Sequence, residues 1–146
     1  MRFMSHSHKS AGSAADSDTG RAHGALHYES VLWIDSTVAP GARFAIHRVS
    51  FGRRMELSRK IRELSRKAEF LAAGTELHEK IEANILAQEI DALYLRWGLV
   101  RVEGLIIDGE LTTTERLLDE GPEGFVREIV TAIRAQCGLS EAETKN

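Results

Sequence analysis

Hydrophobic positions change their period partway along this chain. Residues 30–38, SVLWIDSTV, and 42–51, ARFAIHRVSF, are β-branched and aromatic. The second run alternates, with Phe44 and Ile46 on one side and Ala45, His47 and Val49 on the other. A two-residue period is that of a strand. Ala39-Pro40-Gly41 between the runs is turn chemistry, so the pair predicts a β-hairpin with a short loop. A lone hairpin is marginal in water, so its apolar face must pack on something else.

From Gly52 the period becomes helical. Leu57, Ile61, Leu64, Ala68 and Leu71 recur at three- and four-residue steps and form one stripe, and Gly74 is a natural stop. Thr75 is placed to cap a second helix, which runs to about Trp97 and stops at Gly98. This helix carries two stripes. Leu77, Ile81 and Ile85 occupy one side; Leu86, Ile90, Leu93 and Trp97, with Tyr94 beside them, occupy nearly the opposite side. One packed surface requires one stripe. Two stripes imply a helix sandwiched within the fold or shared with a second subunit.

Residues 99–112, LVRVEGLIIDGELT, favour extended structure. Asp108-Gly109 is a tight-turn signal and Gly104 marks a bulge or a further turn. The stretch predicts one or two short strands joining the first hairpin, or a tight β-turn clamped on the helices. Thr112, Thr113 or Thr114 then starts a short helix, with Thr112 and Glu115 at capping-box spacing and Gly121 as its end. Pro122 opens the next helix, where a first turn tolerates it. That helix presents Phe125, Ile129, Val130, Ile133 and Cys137 on one face and stops at Gly138. Ser140 with Glu143 offers a cap for a last short helix. The sum is an α+β domain, mostly α, over residues 30–146: an N-terminal β-hairpin, with short extra strands near 99–112, packed on about four helices.

Composition changes this picture little. At 146 residues, 42% hydrophobic and 28% charged, the chain fits one globular domain that needs no metal or disulfide staple. Residues 1–29 have no apolar period and read as a disordered tail, in which the His6 and His8 pair lacks the fixed partners a metal site requires. No apolar run approaches a membrane span and the N-terminus lacks a signal-peptide core, so a soluble, cytoplasmic protein is expected. The single cysteine, Cys137, fits a reducing compartment and a buried structural thiol.

Charge adds more. The net charge of −3 hides a block of +7 over residues 43–67, followed by −5 over 68–95 and −4 over 96–146. A basic block followed at once by its complement is expected to pair with it, within the chain or across subunits, ahead of binding nucleic acid.

Catalytic signals are missing. The sequence holds no P-loop, dinucleotide fingerprint, zinc spacing, nucleophile elbow or calcium-loop ladder. Asp35, Ser36 and His47 can be drawn as a cluster, but Ser36 follows no strand-to-helix turn and reads as an ordinary hairpin position. No cofactor and no enzymatic activity are expected. The surfaces most suited to a partner are the second stripe, Leu77, Ile81 and Ile85, and the basic helix before it, with Arg59, Arg62 and Arg66.

The C-terminal half, from Trp97 onward, resembles small proteins of tailed-phage and prophage structural-gene clusters described as tail assembly chaperones. The residues that carry the resemblance are Trp97, Val102-Glu103-Gly104-Leu105, Ile107-Asp108-Gly109, Leu117-Leu118, Gly121-Pro122-Glu123, Glu128-Ile129, Ala132-Ile133, Cys137-Gly138-Leu139-Ser140-Glu141 and Lys145-Asn146. They are structural punctuation, and no catalytic residue comes with them. The resemblance implies a non-enzymatic phage tail morphogenesis factor, binding the helical tape-measure protein or the tail tube protein. A structural head or tail component of the particle, a homo-oligomer, and a nucleic-acid-binding module using the basic helix 53–67 are the alternatives.

Overall fold

The computed structural model describes residues 24–138. Its elements are β1 (Val31–Asp35), β2 (Arg43–His47), α1 (Phe51–Ala72), α2 (Leu77–Gly98), β3 (Leu99–Glu103), β4 (Ile106–Ile107), β5 (Glu110–Leu111), α3 (Thr114–Glu120) and α4 (Glu123–Gln136). The expected α+β architecture, mostly helical with a small antiparallel sheet, is what the chain adopts. Of the expected tail, residues 25–29 are exposed and without regular structure, and 1–23 lie outside the described residues, as does the expected helix after Ser140.

The predicted hairpin forms, with β2 at the centre of a sheet ordered β1-β2-β3. Alternation put Phe44 and Ile46 on the inner face, and both are fully buried there. Phe44 meets Phe125 of α4 edge-on, ring centroids 5.9 Å apart. The connection is not short, however. Seven residues, 36–42, separate the strands. The Ser36 N–H still donates across the hairpin to the Ala42 carbonyl at 2.9 Å, while the Ser36 and Thr37 hydroxyls and the Thr37 N–H donate to the Glu128 carboxylate of α4. That cluster pins the loop to the helix layer.

α1 and α2 are 22 residues each and double back on one another as a helical hairpin. Ser50 caps α1 by accepting from the Arg53 N–H. The cap of α2 is Glu76, not Thr75. Glu76 and Glu79 cap each other, the Glu79 carboxylate accepting from the Glu76 N–H at 3.4 Å. A full capping box is worth more to the orphan N–H groups than the lone hydroxyl at Thr75.

Arg53 fixes the base of the hairpin: it donates to the Trp97 carbonyl at 2.6 Å and lies 4.7 Å over the Trp97 ring. Beside it, Arg54 donates to the Cys137 carbonyl at the end of α4.

Residues 99–111 realise both expected alternatives. β3 joins the sheet, with a bulge opposite Ala45/Ile46, and β4-β5 make a separate two-stranded ribbon. Its turn has positive φ at Asp108 (50°) and Gly109 (78°), the geometry the Asp-Gly pair signals.

Thr113, not Thr112, caps α3, accepting from the Arg116 N–H. Thr112 is drawn the other way, its hydroxyl donating to the Leu105 carbonyl at 2.6 Å. Pro122 stands just before α4, at its cap, and the helix begins at Glu123. The core gathers where sheet, α3, α4 and the C-terminal half of α2 meet, around Phe44, Ile46, Leu95, Leu117, Phe125, Ile129 and Ile133.

Candidate functional site

Residues 58–82 include no buried position. α1 buries only Leu57, near the base, and the buried residues of α2 begin at Ala83. The distal half of the hairpin therefore rests on itself alone, through Ile61, Leu64 and Ala68 of α1, which are half-buried.

The two stripes of α2 separate as the spacing required. Leu86, Ile90, Tyr94 and Trp97 are buried. Leu77, Ile81 and Ile85 are 73%, 51% and 51% exposed. They stand one turn apart on a single helix face. Leu95, five turns from Leu77 and so on the same face, is fully buried under the helix layer. The face of the second stripe is thus covered within the fold at one end of α2 and open at the other.

Between the covered and open ends lies a groove of about 670 Å³. Gln88, Asp91 and Ala92 of α2 form one wall, and Val126, Val130 and Arg134 of α4 the other. Arg134 closes its end, bonded to Asp91 at 2.7 Å and stacked 4.3 Å over the Tyr94 ring. Sequence reading missed this groove. Val126 and Val130, at i and i+4 on the rim of the α4 core face, were its one local signal; the approach of α4 to α2 is set by contacts distant in sequence.

The six anticipated partner-binding residues do not form one surface. Arg59, Arg62 and Arg66 are all exposed, and their spacing puts them on the face of α1 opposite Leu57 and Ile61. They point away from α2. Within the chain, α1 does not make the expected pairing with its acidic complement in α2: among the described residues no ion pair links the two helices within 4.0 Å. Arg43 pairs instead with Glu103 at 2.8 Å, and Lys60 with Glu56 one turn away at 3.3 Å. Helix packing chose the faces, and the arginines followed the outward one.

Of the groups weighed as chemistry, Ser36 is occupied structurally. Besides holding Glu128, Ser36 accepts from the Ala39 N–H at 2.8 Å. His47 has its pKa lowered by burial and by the Arg53 charge. Burial pushes the Cys137 thiol up, against the opposing pull of Arg54 and Arg134. Among the described residues no group of three His, Cys, Asp or Glu side chains is placed to hold a metal ion, and no helix is long and apolar enough to cross a membrane.

On the outer face of the sheet Trp33, 41% exposed, carries Arg43 at 4.2 Å and Arg101 at 5.9 Å over its ring. Glu103 pairs with both arginines, and chiefly the Arg43 hydrogen bond holds its carboxyl below the usual range. Two arginines and one carboxylate leave this platform with one positive charge in excess. Compared with family models, curated proteins and solved structures, the chain matches none of them.

Proposed function

We propose that this chain is a non-enzymatic assembly factor that holds a helical segment of a partner protein against α2. The observation that carries the reading is the open stripe of Leu77, Ile81 and Ile85, continuous along one helix face with the groove at Gln88 and Ala92. Three large aliphatic side chains left in water at one-turn spacing favour a partner helix, read through its own i, i+4 anchors. From Leu77 to Ala92 the path is about 22 Å long, enough for four turns of a partner.

In biological terms we read the partner as a phage tail protein, the tape-measure protein first and the tube protein second, bound in the cytoplasm of the bacterial host. The resemblance of residues from Trp97 onward to tail assembly chaperones supports this form of the reading. Co-expression with a phage tape-measure protein tests it. The expected result is a recovered complex and a more soluble tape-measure protein, both lost in Ile81→Glu/Ile85→Glu. No complex and unchanged solubility would overturn it. Recovery of this chain in purified particles would replace the chaperone with a structural component.

A further inference from the structure

We infer that the outer face of α1 is a second docking surface, built for an acidic helical segment of a protein and independent of the α2 stripe. Met55, Arg59, Arg62, Arg66 and Phe70 follow one another at three- and four-residue steps, which aligns them along a single helix face. All five are exposed, Met55 by 43% and Phe70 by 79%. Among the described residues Arg59, Arg62 and Arg66 make no ion pair within 4.0 Å. The row spans about 22 Å, with the three guanidinium groups at its centre and an apolar residue at each end. A partner helix with carboxylates at i, i+3 and i+7 meets all three arginines, each able to form a bidentate pair, and its own apolar ends meet Met55 and Phe70.

Other occupants fit less well. Nucleic acid would meet the three arginines with phosphates but offer its charged backbone to Met55 and Phe70, the apolar ends of the row. An anionic membrane needs a continuous apolar face to insert, and here the middle of the row is charged. A second copy of this chain, paired antiparallel along the row, brings Arg59 against Arg66; paired parallel and in register, it brings each arginine against itself.

The test uses the full chain and a labelled helical peptide with Glu at i, i+3 and i+7 between leucines. Its counterpart carries Lys at the same positions. The Glu peptide is expected to bind, and more weakly as salt rises. Arg59→Glu/Arg62→Glu/Arg66→Glu should weaken it by about tenfold or more and transfer affinity to the Lys peptide, a rescue that unfolding cannot produce. Ile81→Glu/Ile85→Glu should leave Glu-peptide binding unchanged, which separates this surface from the α2 stripe. The inference is overturned by absence of Glu-peptide binding at low salt or by equal binding to the triple variant. It is also overturned if a short DNA duplex or phosphatidylglycerol-rich vesicles bind more tightly than the peptide.

Discussion

At Gly98, the last residue of α2, a side chain has no room. A Cβ there would stand 2.6 Å from Cγ2 of Ile133, with Cδ1 at 2.8 Å, and Ile133 is itself 1% exposed. Gly98→Ala is therefore expected to destabilise by about 1–3 kcal/mol, read as a lower denaturant midpoint at unchanged slope. The sequence showed Gly98 as a helix stop, which is half of its role. The approach of α4 could not be read, because Ile133 is far along the chain.

Glu128 poses the same difficulty. Its acceptors serve Ser36 and Thr37, 92 and 91 positions away. Burial raises its pKa, but the donors from Ser36 and Thr37 outweigh that and leave the carboxyl below its ordinary value. A depressed folded pKa contributes stability that is present above the unfolded carboxylate pKa and lost as pH falls through the folded one. Glu128→Gln should thus flatten part of the acid limb of the stability curve below about pH 4.5. Near neutral pH it should cost about 1 kcal/mol. Urea midpoints measured across acid pH check both.

At the scale of elements, the helical hairpin is two structures in sequence. Near its base α1 is tied to α2 by Leu57 and by Arg53 on Trp97, and to the end of α4 by Arg54 on Cys137. Past Ala83 toward the tip nothing is buried. Backbone hydrogen bonds of the distal half are therefore expected to open at lower free energy than those of residues 86–97. Amide exchange should fall along α2 from its first turns to its last, by about two or more orders of magnitude. A flat profile would mean that something covers the tip in solution.

Much of this element was legible. Both stripes of α2 came from spacing alone, and their separation into buried and open sets follows it. Three things were not. The cap moved to Glu76 because a reciprocal pair beat a single hydroxyl. That the arginines face away from α2 was not drawn from the sequence, although periodicity already put them opposite Leu57. The hairpin connection closes its turn at Pro40-Gly41, Ala42 donating to the Ala39 carbonyl, but the contact of Thr37 with Glu128 of α4 was not legible.

For the whole molecule, the outcome of one substitution on one stripe should depend on where along α2 it falls. Leu77, Ile81, Ile85 and Leu95 point to a common side of the helix, yet exposure drops from 73% at Leu77 and 51% at Ile81 and Ile85 to 0% at Leu95. A carboxylate at Leu95 would be stranded in the core beside Leu117 and Ile129, unpaired, and several kcal/mol against folding. A carboxylate at Ile81 or Ile85 stays in water, where surface substitutions move stability by about 0.5 kcal/mol or less. Thermal melts should thus show Leu95→Glu unfolded, or nearly so, and Ile81→Glu/Ile85→Glu melting with the parent. Helical spacing puts these residues on one side of α2; the difference comes from α3 and α4 ending their cover partway along it. Should Ile81→Glu/Ile85→Glu instead collapse the melt, the stripe is core contributed to a second subunit, and the parent's melting temperature will rise with protein concentration. If the melts coincide and no concentration dependence appears, the stripe is a free surface on a folded monomer, the state that a surface held open for a partner requires.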